Sequence, residues 1–492
     1  MPNGLPALHR TFTLQDSFKA DPAQGYSLLP FQFIPLDDRR YVLTNLAGEF
    51  LVVPHEVLHQ LVLKRLPMDS QYYLSLKSQH FLADADSSIC LELLAAKYRT
   101  KQIPLSEFTS LHIFVPTLRC NNRCVYCQAS RQGPTKPGYD MKWEDAEKAI
   151  NFMFRSPARS LKVEFQGGEP LLAFPLIKQV VGKVEEINQT EARNVEFVIC
   201  SNLSLVSDEV LDFCGAHNIY FSTSLDGPRA LHNANRPSSD FDSYERAITG
   251  IACVQDVLGS DKVSALATTT RTSLAYPVEI VDEYIRQRFN AIFLRPLNPY
   301  GLAARGNTEL EYEVEEWLAF YVRALKYILE LNYQGVPFRE QYAALILRKM
   351  LTPYGTGFVD LRSPAGVGIA VILFNHDGGI YASDESRMLA EMGDERFRLG
   401  SLSVDSYEDV MLSDSLISLL RETMAEGVPC CSDCGIQPFC GSDPVRHYRT
   451  QGDPIGNKPT SEFCARNIGL IKHLIQLLED DAQAAKVLRS WI

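Results

Sequence analysis

Three cysteines stand close together in Cys120-Asn121-Asn122-Arg123-Cys124-Val125-Tyr126-Cys127, a C-x3-C-x2-C spacing. Thiolates at that spacing can hold three corners of a 4Fe–4S cluster, which needs four ligands to close. The fourth iron is then open to a substrate, as one position is in catalytic metal centres generally. A zinc knuckle or three buried core thiols are the plainer alternatives. The triplet directly follows an apolar run, residues 111–118, that reads as a buried β-strand. The thiols therefore lie on the loop leaving its C-terminal end. In barrel folds, that end is where chemistry is placed.

A second group of thiols lies far down the chain: Cys431 and Cys434, then Cys440, and Cys464 after a gap. Four thiols close a site completely, as structural zinc or an iron–sulfur cluster requires. Between the two groups, Gln166-Gly167-Gly168-Glu169-Pro170 ends a second strand-like run. Paired glycines let backbone approach a ligand closely, and a carboxylate can accept from an ammonium. Ser224-Leu225-Asp226-Gly227-Pro228 ends another run, with Arg236 shortly after; a guanidinium fork matches a carboxylate.

The elements that must position these groups alternate between strand-like and helix-like. Strands are expected at 111–118, 161–166, 195–201, 220–225, 263–270 and 291–294, with amphipathic helices such as 143–154 and 278–286 between them. This pattern predicts a parallel α/β sheet with helices outside. Upstream, residues 1–25 read as irregular and 41–53 as two short strands around an Asn/Gly turn. Helical stretches follow near 57–62, 72–82 and 89–98. Three regions result, 1–107, 108–345 and 346–492.

At 492 residues the chain exceeds one ordinary core, and its 46% hydrophobic and 22% charged composition is that of a soluble globular protein. No apolar run reaches membrane-spanning length, and no basic segment precedes a hydrophobic one at the start, so a cytoplasmic location without membrane contact is expected. Twelve cysteines in such a chain argue for metal rather than a disulfide framework. A net charge of −12 argues against general nucleic-acid binding.

The triplet together with Gly167–Glu169 at the next strand end resembles the radical S-adenosylmethionine (SAM) superfamily, and six βα units resemble its partial (β/α)6, TIM-like barrel. The resemblance implies that SAM chelates the open iron of the cluster on Cys120, Cys124 and Cys127. It further implies that Gln166, Gly167, Gly168 and Glu169 meet the SAM amino group, with Asn202 among the polar groups turned toward SAM. Ser224 and Arg236 become partners for its carboxylate, and Tyr126 packs near the adenine or serves as ordinary core. The N-terminal hairpin and helices look like the winged-helix modules that bind leader peptides, or form a structural cap.

The C-terminal cysteines resemble a SPASM domain, which usually holds two auxiliary clusters. Here Pro444 and Ser383 stand where cysteines are expected, and 363–366 contains none. In the family the lost positions ligate the first auxiliary cluster, whereas Cys431, Cys434, Cys440 and Cys464 match ligands of the second. One auxiliary 4Fe–4S cluster is therefore expected. Cys430, Cys90, Cys200, Cys214 and Cys253 read as spare. Asp384 matches an acid that serves as proton acceptor in sulfatase-maturing relatives, with a solvated loop acid as the alternative.

Nearly the whole chain, from Leu111-His112-Ile113-Phe114-Val115 through Arg295-Pro296-Leu297-Asn298-Pro299-Tyr300-Gly301 to Phe439-Cys440-Gly441-Ser442-Asp443-Pro444, looks like the radical SAM maturase of the His-Xaa-Ser peptide system. That resemblance implies reductive cleavage of SAM to a 5′-deoxyadenosyl radical and modification of a ribosomally made precursor peptide bearing a leader. Oxidative cross-linking of side chains is one outcome it allows. An external flavodoxin- or ferredoxin-like one-electron reductant is implied. The competing readings are a sulfatase-type maturase oxidising a Ser or Cys, and a non-enzymatic iron–sulfur electron carrier or redox sensor.

Overall fold

The computed structural model of the chain describes residues 25–106, 108–303 and 310–492, so nearly all of the irregular stretch expected at 1–25 lies outside the described residues. The N-terminal strands are β1 (Tyr26–Leu28), β2 (Gln32–Pro35), β3 (Arg40–Thr44), β4 (Phe50–Pro54) and β5 (Leu82–Asp84). The expected hairpin is β3–β4, closed where Asn45 Oδ1 accepts from Glu49 N (3.2 Å). A strand unread in the sequence, β2, pairs antiparallel with β3, which makes β3 the middle of three. β1 pairs with β5. Helices His55–Val62, Tyr73–Ser78 and Cys90–Gln102 complete this part. Leu43, Val53, Leu58, Leu61, Leu76 and Phe81 enclose a core separate from the main one.

The main sheet begins with β6 (Leu111–Thr117), β7 (Ser160–Gly167), β8 (Asn194–Cys200), β9 (Tyr220–Ser224), β10 (Val263–Thr268) and β11 (Ala291–Arg295). They pair parallel, each with the next in chain order, as the alternating pattern required. β10 stops short of the expected end because Thr270 and Ser273 capture each other locally, Thr270 N donating to Ser273 Oγ (3.0 Å). Helices pack outside through stripes at helical spacing. In Phe174–Glu191 the buried Ile177, Val180, Val181 and Val184 form one such stripe. Each fully buried side chain of that kind contributes about 1.5–3 kcal/mol.

The sheet does not end with these six strands. β12 (Arg339–Glu340) adds parallel to β11 at one edge. At the other, β13 (Val371–Phe374) adds parallel to β6, followed by the antiparallel β14 (Gly379–Tyr381) and β15 (Arg398–Ser401). The result is one open sheet of ten strands. The expected boundary at 345/346 is thus crossed by hydrogen bonding and by a shared core that runs from Phe114 and Phe165 to Ile372, Phe439 and Leu474. The short run 371–374 is apolar on both faces, which is why it inserts beside β6. Among the described residues no helix is long and apolar enough to cross a membrane.

Candidate active site

β6 delivers the first thiol loop to the C-terminal end of the sheet, and neighbouring loops pin it there. Gly168 N donates to Thr117 O (2.9 Å) and Glu169 N to Arg119 O (2.7 Å). Val125 N donates to Asn235 O (2.9 Å), and Arg123 N to Pro237 O (2.8 Å). A side chain at Gly168 would run into the Leu118 and Arg119 carbonyls, and one at Gly167, whose φ is +134°, into that of Thr117. The glycine pair is therefore required by the approach of its own backbone to the thiol loop, as well as by any ligand.

A cavity of about 280 Å³ opens at this end of the sheet. Cys120, Cys124 and Cys127 line it together with Tyr126, Gln166, Gly167, Gly168, Asn202, Ser224, Arg236 and Asp384. Of the expected site residues in the first half of the chain, only Glu169 does not. Its carboxylate is buried and faces its own loops: Oε1 accepts from Ser201 Oγ (2.7 Å) and Leu171 N (3.1 Å), and Oε2 from Asn202 N (2.8 Å). In this arrangement the carboxylate ties the β7 loop to the β8 loop. Burial raises its pKa to about 6, against the lowering effect of those three hydrogen bonds.

Arg236 is held on three sides. Its Nε donates to Asp226 Oδ2 (3.1 Å), its guanidinium lies over the Tyr126 ring (5.3 Å), and its Nη1 approaches Cys124 Sγ (4.0 Å). Tyr126 donates its hydroxyl to the same Asp226 oxygen (2.6 Å). Asp226 is fully buried, so its carboxylate is the paired anion that orders both residues. Burial pushes the Cys124 thiol up to about 11, with Arg236 pulling the other way. Cys120 is raised further, by burial and by Glu169.

The far wall comes from the C-terminal region. Asp384 opens helix Asp384–Ala390, and Ser383 caps it, its Oγ accepting from Ser386 N (3.2 Å). The serine that replaces an expected cysteine thus has a structural role of its own. Arg295, at the end of β11, stands 3.5 Å from Glu385 and also lines the cavity.

The sequence reading missed Glu164, Cys200, Ser222, Thr268 and Arg295, all on the cavity wall. Cys200, read as spare, donates to Glu164 Oε1 (3.3 Å), and Gln166 Nε2 donates to the same oxygen (2.6 Å). The signal was available. In β7, Leu161, Val163 and Phe165 are buried while Lys162, Glu164 and Gln166 alternate with them, whereas a parallel strand covered on both faces is apolar throughout.

The second thiol group closes on a different cavity, of about 200 Å³, lined by Cys431, Cys434, Cys440 and Cys464. Tight turns hold the first three, with Cys434 N donating to Cys431 O (3.0 Å) and Cys440 N to Ile436 O (3.2 Å). Cys464 sits in the first turn of helix Glu462–Asp480, its N–H on the Ser461 cap (3.3 Å). Cys430, read as spare, reaches the same cavity. Among the described residues no three Cys, His, Asp or Glu side chains converge as a single ion requires. All twelve cysteines are free of disulfides.

Residues 114–252 match the Radical SAM superfamily. They form a radical SAM domain. An uncharacterized protein of Methanocaldococcus jannaschii is 32% identical over 111 residues, 23% of this chain and 36% of that protein, so the chain matches only about a third of that relative's length. The cysteine-type anaerobic sulfatase-maturating enzyme of Clostridium novyi is 26% identical over 73% of this chain and 95% of its own. The radical SAM cyclopropyl synthase TigE of Paramaledivibacter caminithermalis is 24% identical over 29% and 33% respectively.

Among solved structures, anSMEcpe with bound AdoMet superposes with a TM-score of 0.65 at 14% identity, covering 78% of this chain and 99% of that one. Streptococcus suis SuiB bound to precursor peptide SuiA gives a TM-score of 0.52 at 14% identity, covering 89% and 99%. At these identities the likeness shows a shared fold.

Proposed function

We propose that this radical SAM enzyme holds a 4Fe–4S cluster on Cys120, Cys124 and Cys127, binds SAM at its open corner, and modifies a ribosomally synthesised precursor peptide. The observation that carries the reading is the convergence on one cavity of three thiols, the Gly167–Gly168 backbone, Asn202, Ser224 and Arg236. When bound, the reduced cluster and SAM together supply a 5′-deoxyadenosyl radical able to take a hydrogen atom from a side chain. The protein's share is positioning and exclusion of water.

Arg236, oriented by Asp226 and Tyr126, offers its remaining N–H groups to a carboxylate. Asn202 is fixed by Asn121 (2.9 Å) and presents a polar edge. Asp384 is the acid on the opposite wall suited to take up a proton at its carboxylate when the product is oxidised, as ring-closing cross-linking requires. Cys431, Cys434, Cys440 and Cys464 would hold one auxiliary 4Fe–4S cluster as the second redox group, and a flavodoxin- or ferredoxin-like protein would supply electrons.

The N-terminal residues would capture the leader as a winged-helix-like module. β3 is paired on both sides, and the edge strand β2 is covered where Gly435 packs against the backbone of Phe33 and Ile34. An added strand would therefore join at β4 rather than anywhere along 41–53. Leu91 and Leu93, 55% and 46% exposed on helix Cys90–Gln102, offer apolar contacts. Structures of relatives with peptides, anSMEcpe with Kp18Cys and SuiB with SuiA, support a peptide substrate.

The similarity to the Clostridium novyi enzyme along most of both chains favours a second reading, a sulfatase-type maturase oxidising a Ser or Cys. Co-expression with a neighbouring-gene peptide followed by mass spectrometry tests the first reading. A mass change on that peptide is expected, and oxidation of a sulfatase Ser or Cys with the peptide untouched would replace it.

A further inference from the structure

A smaller cavity, about 60 Å³, lies where the end of helix Cys90–Gln102, helix Gln341–Leu351 and the turn ahead of Cys440 meet. Three cations line it, Lys101, Lys349 and Arg362, against one carboxylate, Glu426. That carboxylate is occupied by hydroxyls: Ser363 Oγ donates to Oε2, and Tyr98 OH to Oε1 (3.4 Å). Among the described residues the cations' hydrogen bonds go to backbone carbonyls, and Lys101 also lies over the Phe439 ring (5.8 Å). Lys101 Nζ donates to Lys349 O (3.3 Å), Lys349 Nζ to Leu361 O (2.6 Å) and to Cys440 O, and Arg362 Nη2 to Pro104 O (3.2 Å).

One further observation points to a ligand. Thr356 is 5% exposed and lines the cavity, and its Oγ1 has no hydrogen-bond partner among the described residues. Gly48, at φ +78° in the β3–β4 turn, has no side chain where Lys101 Nζ sits, so the turn accommodates the ammonium. Gathering cations away from water costs free energy unless an anion joins them. Burial lowers the Lys101 pKa to about 8, with the Glu49 carboxylate pulling the other way.

We infer that this cavity binds one small oxyanion, a carboxylate or a phosphate, through Lys101, Arg362 and the Thr356 hydroxyl, with Lys349 adding charge. The volume admits such a group and no nucleotide. Because Leu46 and Pro104 line one side and Gln437 and Pro438 another, the bound anion would fasten the N-terminal residues to the turn that carries Cys440. The inference stands independently of the reading of the larger cavity.

The test is calorimetric unfolding of the full, anaerobically reconstituted chain at constant ionic strength, titrated with inorganic phosphate, acetate or capped glutamate. A saturable rise in Tm of roughly 2–4 °C is expected for phosphate and acetate, by mass action on the folded state. Lys101→Met and Arg362→Met should lose the rise, and Lys101→Met should melt higher than wild type without anion. Arg362→Lys should retain a weaker response, which guards against misfolded variants. Protection by capped glutamate equal to that by acetate would identify an acidic peptide side chain as the source. Protection by phosphate and acetate alone would identify a free anion. No saturable rise in the wild type, or an equal rise in Lys101→Met, overturns the inference.

Discussion

The two thiol sites differ in what surrounds them. Around Cys120, Cys124 and Cys127 the walls carry Arg236, Asn202, Gln166, Arg295 and Asp384. Around Cys431, Cys434, Cys440 and Cys464 they carry Ile436, Phe463, Ile468, Pro459 and Ala425, with Gln437, His447 and Lys458 as the polar exceptions. A three-thiol site that must admit a charged ligand needs donors and acceptors nearby. A four-thiol site complete in itself is better served by apolar packing, which limits solvent access. The surroundings therefore separate an open site from a closed one independently of the count of thiols.

The largest effect should follow from emptying the open site. Replacing Cys120, Cys124 and Cys127 by Ala should lower iron from about eight per chain to about four and abolish 5′-deoxyadenosine formation, measured by iron assay and chromatography. Continued 5′-deoxyadenosine formation would end the comparison.

Cys434→Ala with Cys440→Ala should remove the other half of the iron. Peptide-independent SAM cleavage should stay within about twofold, while modified peptide falls by more than tenfold. Both thiols pack against the main core, so a lower Tm should accompany the change. Equal losses of cleavage and modification would mean that the closed site serves the open one structurally.

Arg236→Lys should weaken SAM binding by roughly tenfold in calorimetric titration with iron content unchanged. A point-charge ammonium cannot keep Asp226, the Tyr126 ring and a carboxylate at once. Unaltered affinity would remove Arg236 from the binding wall.

The smallest effect belongs to Glu169. Its carboxyl is raised to about 6 from the usual 4.5, so the folded chain holds that proton more tightly than the unfolded one. Its contribution to stability is full below about pH 4.5 and is lost as pH rises through 6, roughly 2 kcal/mol in all. Glu169→Gln lacks this titration. Its Tm relative to wild type should climb by about one degree between pH 5 and pH 7, and a flat difference would show that the three hydrogen bonds offset burial completely.

Much of this was legible in the chain itself. The strands from 111 to 295 and their helices followed from apolar periodicity, which is local, because each element buries one face against its neighbours. The two thiol groups, each of which lines one cavity, followed from spacing, which is also local. Less legible were the side chains that strand alternation turns inward, Glu164, Cys200 and Arg295, since a polar residue in a strand announces a cavity only when the opposite face is known to be covered.

The sequence by itself determined which residues could do chemistry and on which strand ends they stand, because residue type and hydrophobic period need no distant partner. Tertiary structure alone decided that Glu169 turns into its own loops and that Ser383 caps the helix that brings Asp384 to the cavity wall. It also decided that β13 extends the main sheet from a region expected to be separate, and that Lys101, Lys349 and Arg362 share one cavity. Each of these depends on groups far apart in the chain meeting in space, where burial and the hydrogen bonds available decide the orientation of a side chain.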